Sequence, residues 1–225
     1  MTCEAAWHRI EHSGYTADLP LWLDIAQRFG PETVEVGAGC GRVAHFLASR
    51  AVPVTAVERD PGLAFALTAS TPPGSTVQVQ QDDVFACSKQ FDNFNGVFMF
   101  PLLVAEVIAA EYGRDTALAM LRDLLPSSAS AAFCVSGGNG PDGSHAFELQ
   151  DFHFTPASQV THLQVSGALT QVLRTRADVD GFTEKTEVLM SLSANQLSSG
   201  LGRAVRERHS VPAVEGVVSM QVVVL

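Results

Sequence analysis

Three glycines stand at alternate positions in Glu35-Val36-Gly37-Ala38-Gly39-Cys40-Gly41, after the β-branched run Thr33-Val34-Glu35-Val36 and before the helical periodicity of residues 42–48. A strand that turns tightly into a helix presents backbone at its C-terminal edge, and residues without side chains let a ligand approach that backbone closely. Two acids follow at matching places. Glu58 closes a second short run, Pro53 to Val57, and Asp83 follows a third, Thr76 to Gln80. A carboxylate at the edge of the second strand can accept hydrogen bonds from both hydroxyls of a ribose, and one at the edge of the third can accept from the exocyclic amine of adenine. The pattern suits a ligand made of an amino acid, a ribose and adenine. A dinucleotide fingerprint, G-x-G-x-x-G, would need its third glycine at position 42, where Arg42 stands, so a nicotinamide oxidoreductase is disfavoured.

The elements that must position these residues alternate along the chain. Residues 18–29 have helical spacing, with Asp18 as a candidate N-cap and Pro20 in the first turn, and Gly30-Pro31 stops them. Strands are expected at 33–36, 53–57, 76–80, 96–100 and 130–135, with helices at 42–48, 61–69, 102–111 and 114–125 between them. That alternation implies parallel βαβ units in a doubly wound, mostly parallel sheet. From Phe147 to Ser193 the pattern changes to alternation of apolar and polar residues, which predicts an antiparallel β insertion after the fifth strand. A last helix opens near Ser193, and residues 216–225 supply a final strand.

Composition fits one globular domain: 225 residues, 46% hydrophobic and 17% charged. The formal net charge is −10 and the basic residues are scattered, so no stripe exists for phosphate contacts and nucleic acid is not expected as a partner. Cys3, Cys40, Cys87 and Cys134 never form C-x-x-C pairs, so no metal site is expected and the thiols read as reduced. No apolar run approaches the ~20 residues that cross a bilayer, and the N-terminus lacks a signal-peptide pattern, so no membrane partner and a cytoplasmic location are expected.

Tyr15…Asp18-Leu19-Pro20-Leu21-Trp22, residues 34–44 around the glycines, Val54-Thr55-Ala56-Val57-Glu58-Arg59-Asp60 and Gln81-Asp82-Asp83-Val84 together resemble the class I S-adenosylmethionine-dependent methyltransferases. The similarity points to the small-molecule branch that includes glycine and sarcosine N-methyltransferases, and it covers roughly residues 15–136. The resemblance implies a Rossmann-like domain over 1–225, with an N-terminal helical lid over about 1–30, a cofactor-binding core over 31–136 and the insertion, about 145–193, over the acceptor pocket. It implies S-adenosyl-L-methionine as cofactor. Glu35 is then expected near its methionine end, Gly37, Ala38, Gly39 and Gly41 along its backbone, Glu58 on the ribose, Arg59 beside the adenine, Asp83 and Val84 at the adenine edge, and Phe100 close to the sulfonium. Asp82 stands where the family often has glycine, so the two aspartates compete for one role. The usual Gly-Gly before the fifth strand is replaced by Ser127-Ser128-Ala129-Ser130.

The activity implied is methyl transfer to a small-molecule or peptide acceptor, on nitrogen or oxygen, in specialised metabolism. The alternative is a repurposed member of the fold that serves as a scaffold or partner subunit. Candidate general bases are Tyr15, in the lid segment, and His145 and His153, which follow the fifth strand. Arg174 and Arg176 share one strand face, either as partners for an anionic acceptor group or as a solvated face. In the resembling enzymes the insertion often takes part in dimer contacts, which admits a homodimer here.

Overall fold

The computed structural model describes residues 3–136, 143–152, 155–178, 181–212 and 220–225, with backbone alone over 143–157 and at residues 3, 13 and 178. Its main sheet has seven strands. β1 (Thr33–Val36), β2 (Val54–Glu58), β3 (Val77–Gln81), β4 (Val97–Phe100) and β5 (Ser130–Ser136) run parallel, and β10 (Glu207–Val211) and β11 (Met220–Val224) join antiparallel beyond β5. The order across the sheet is β10-β11-β5-β4-β1-β2-β3. β1 and β4 are buried along their whole length, because helices cover both faces of the sheet.

One face is covered by α2 (Leu19–Phe29), α3 (Arg42–Ala48) and α4 (Pro61–Ser70), whose Trp22, Ile25, Leu47 and Leu67 pack on Val97 and Met99. The other face is covered by α5 (Val104–Tyr112), α6 (Arg114–Leu124) and α7 (Ala194–Leu201), with Ile108, Leu121 and Leu197 against Phe98, Phe100 and Phe133. The sequence expectation for these strands holds, with one addition. The addition is β10, an edge strand paired antiparallel with β11, which alternation did not reveal because Glu207-Arg208-His209-Ser210-Val211 is short and mostly polar.

Between β5 and α7 the chain forms a separate antiparallel sheet of β6 (Gly143–Phe152), β7 (Thr155–Ser166), β8 (Leu169–Asp178) and β9 (Gly181–Met190). In β7, Gln159, Thr161, Leu163 and Val165 are buried while His162, Gln164 and Ser166 are exposed, the period of two expected of a sheet with one covered face. β9 packs against α5, which ties the second sheet to the carboxyl edge of the first.

The N-terminus forms α1 (Cys3–Ser13), distinct from α2. Asp18 does not cap α2 with its side chain. Its carboxylate is buried and already engaged, by both terminal nitrogens of Arg42 (2.5 and 2.8 Å) and by the Trp22 indole N–H (2.8 Å). Among the described residues no helix is long and apolar enough to cross a membrane.

Candidate active site

The glycine turn is built at the carboxyl end of β1 and is tied to β2. The N–H groups of Gly37 and Ala38 both donate to the Val57 carbonyl, at 2.9 and 3.2 Å. Gly37, Gly39 and Gly41 have φ of 68°, 58° and 89°, a left-handed region open chiefly to glycine. They differ in what presses on them. A side chain at Gly37 would meet Val104 (2.8 Å to Cγ2), one at Gly39 the ring of His8 (2.3 Å to Cε1), and one at Gly41 Leu67 (2.2 Å to Cδ1).

Glu58 is held by the turn it serves. Its Oε2 accepts from the Gly39 N–H and its Oε1 from the Asp60 N–H, both at 2.8 Å. Burial pushes this carboxyl up, and the two backbone donors pull it back. Each oxygen retains acceptor capacity toward a further donor. At the end of β3, Asp82 Oδ1 accepts from the Asp83 N–H and Asp83 Oδ1 from the Phe85 N–H, each at 2.8 Å.

These strand ends, α1 and the covered face of the second sheet enclose a cavity of about 660 Å³, inside the ~300–1,000 Å³ range of small-molecule sites. Toward β1–β3 it is lined by Gly37, Ala38, Glu58, Arg59, Asp83 and Val84; toward the second sheet by Leu163, Val165, Val172 and Leu189, with Glu106 and Ser136 between. Glu35 also lines it, fully buried, with Oε2 lacking a hydrogen-bond partner among the described residues. Burial pushes the Glu35 carboxyl up to about 8, against the pull of Arg42 and the Ala44 N–H. Among the described residues no group of three or more His, Cys, Asp or Glu is arranged to hold a metal ion.

Not every expected site residue opens freely on this cavity. Phe100 is not on the cavity wall: it stacks on Phe133 in the core, ring centroids 4.5 Å apart and planes 13° from parallel. Because β4 is buried on both faces, its sequence does not say which face meets the site. Gly39 and Gly41 are covered by His8 and by α3 and α4 rather than opening on the cavity. Arg59 sits at the rim, exposed and paired with Glu111 at 2.7 Å. Tyr15 lines the cavity, but its hydroxyl donates to the Pro212 carbonyl at 2.6 Å, and burial raises its pKa, which opposes a role as base. His145 pairs with Leu163 across β6 and β7, and its side chain lies outside the described residues, as does all of His153.

Arg174 and Arg176 form neither a solvated face nor a free anion site. Arg176 is buried and donates to Glu11, Glu4 and Gln159, and Arg174 donates to Glu187 at 3.0 Å. Lys185 is also paired with Glu4. These contacts clamp α1 between the second sheet and the glycine turn.

Among the cavity residues that the sequence did not single out are His8 and His12 on α1 and Glu106 on α5. The two rings meet edge to face at 4.6 Å. Both are held below the ordinary histidine range, chiefly by burial, His8 at about 4, and each has a buried Nδ1 without a partner among the described residues. Glu106 carried one signal, as the only charge in the run 101–110.

A mostly parallel seven-stranded sheet with an antiparallel end, a glycine turn after its first strand and acids after its second and third define the class I methyltransferase fold. No family profile matches the sequence, and no curated protein does. Solved structures do match in fold. The chain is similar to the CcbJ methyltransferase from Streptomyces caelestis (TM-score 0.73, 16% identity, 93% of this chain and 89% of that one). It is also similar to the sugar N-methyltransferase KedS8 from Streptoalloteichus (TM-score 0.68, 16% identity, 99% and 92%). A third is CalS10, an amino pentose methyltransferase from Micromonospora echinaspora solved with S-adenosylmethionine bound (TM-score 0.64, 16% identity, 100% and 97%). The specific likeness to glycine and sarcosine N-methyltransferases is not among these findings.

Proposed function

We propose that this chain is an S-adenosylmethionine-dependent methyltransferase that acts on an amine of a small molecule in specialised metabolism. The observation that carries the reading is the single cavity that joins the glycine turn and its strand-end acids to an apolar chamber under the second sheet. The residues fit the cofactor. Glu35 presents a buried carboxyl oxygen without a partner among the described residues, which suits an amino group; Glu58, held by two backbone donors, has capacity left to accept from ribose hydroxyls; Asp83 and Val84, on the same cavity wall, would face the adenine.

When bound, the cofactor supplies an electrophilic methyl group on a sulfonium. The chain then has to align the acceptor and keep water out, which is what enclosure by α1 and the second sheet accomplishes. A hydroxyl acceptor would gain from a competent base. His8 and His12 are weakened as bases by burial and Tyr15 is engaged with Pro212, which favours an amine, whose nucleophile needs only to arrive deprotonated. The named functions of the sugar N-methyltransferase and the amino pentose methyltransferase support the same preference.

The reading is tested by incubating the purified protein with methyl-labelled S-adenosylmethionine and a panel of amino sugars, amino acids and matched alcohols, with products read by mass spectrometry. Label on nitrogen supports it. Binding of S-adenosylhomocysteine with no turnover on any acceptor would favour a repurposed scaffold instead.

A further inference from the structure

Resting on the methyltransferase reading, we propose that Glu106 is a catalytic residue that receives the acceptor's ammonium group and takes its proton. Glu106 stands in the first turn of α5, where the carboxyl ends of β4 and β5 meet the second sheet. The chain reaches it through an unusual turn: Leu102 and Leu103 follow Pro101 with φ of 46° and 64°. Two consecutive left-handed leucines carry strain that the surroundings must impose, and such strain gathers where a side chain has to be aimed.

The carboxylate is immobilised through one oxygen. Oε1 accepts from the Ser136 N–H (2.9 Å), the Ser136 hydroxyl (2.7 Å) and the Leu192 N–H (3.1 Å). Oε2 takes no hydrogen bond from a described residue, and Glu106 lines the cavity. Two other carboxylates on the cavity wall have cations beside them: Glu11 has Arg176 and Glu187 has Arg174. Among the described residues Glu106 has none, although only 1% of it is exposed. Buried charges are paired or costly, so a cation is the missing partner. The neighbouring wall of Leu163, Val165, Val172 and Leu189 would cover an apolar body attached to that cation.

The proton step is balanced within the pair. The N–H bond of the ammonium breaks, its electron pair stays on nitrogen as the nucleophile, and an O–H bond forms on Glu106. Burial pushes the Glu106 carboxyl above the ordinary carboxylate range, which narrows the gap to an alkylammonium near ~10 and makes the transfer less uphill.

The test is calorimetric, on full-length protein saturated with S-adenosylhomocysteine, using the matched probes cyclohexylmethylamine and cyclohexylmethanol, and 2-phenylethylamine and 2-phenylethanol. Wild-type protein should bind at least one amine tenfold or more tighter than its alcohol twin. E106Q, which keeps an acceptor for Ser136 and Leu192, should reduce that preference to within twofold while binding S-adenosylhomocysteine as wild type does. A preference that survives in E106Q, or no amine preference in a wild-type protein that binds S-adenosylhomocysteine, overturns the inference alone. Failure of wild type to bind S-adenosylhomocysteine removes the reading on which it rests.

Discussion

At the scale of single residues, Glu35 makes the sharpest claim. With its carboxyl at about 8 it is mostly protonated in the free protein at pH 7, because burial opposes the charge more than Arg42 favours it. A cofactor ammonium placed against Oε2 would reverse that balance, so binding should expel a proton. Titration with S-adenosylhomocysteine at pH 7 in two buffers of different ionisation enthalpy should report release of about one proton, and Glu35→Gln should abolish it. Proton uptake by wild type would contradict the assignment. Glu35, inside β1, was expected only from the resemblance, whereas Glu58 and Asp83 were legible in the sequence because an acid at or just past the end of a strand-forming run needs no tertiary information to be placed there. Glu106 and Phe100 were not: Glu106 is defined by partners 30 and 86 residues away, and Phe100 by which side of a doubly covered strand it takes.

At the scale of elements, α1 is the piece with the most to test. It is clamped by Arg176 and Lys185 from the second sheet and rests His8 on Gly39. His8 and His12 are held neutral, so unfolded or undocked α1 binds more protons than docked α1 between the ordinary histidine value and the lowered one. The contribution of His8 is therefore fully present above pH ~6.5 and is lost as pH falls through about 4, an amount on the order of 3 kcal/mol. Glu35 has the opposite sign: its folded value is raised, so its contribution is present below ~4.5 and lost as pH rises toward about 8. Buried Trp7 on α1 reports the first effect. Its emission should shift to the red between pH 6.5 and 4.5, and His8→Gln should shrink the shift; an emission independent of pH would count against the docking described. The buried Asp18–Arg42 pair joins α2 to α3, and Asp18→Asn leaves a buried guanidinium unpaired. Chemical denaturation should show a loss of ~3–5 kcal/mol, whereas a loss under about 1 kcal/mol, the scale of an exposed pair, would mean that Arg42 finds water. α1 itself has helical composition, but its docking was invisible in the sequence because the clamp joins residues more than 160 positions apart.

At the scale of the whole molecule, the architecture separates two tasks. The parallel sheet supplies fixed backbone at its carboxyl edge, and the second sheet roofs that edge with an apolar wall, so the cavity lies between the two sheets. The mostly parallel, doubly wound sheet followed from the alternation of elements, and the second, antiparallel sheet from the change to period two after β5. What the sequence did not disclose is that α1 and the second sheet are joined by ion pairs. The central claim is that this cavity binds the cofactor, and calorimetric titration of the purified protein with S-adenosylhomocysteine tests it most directly. Micromolar binding is expected, weakened tenfold or more by Glu58→Ala, about 1.4 kcal/mol, in a variant that still unfolds cooperatively; no binding by the wild-type protein would exclude a cofactor site here.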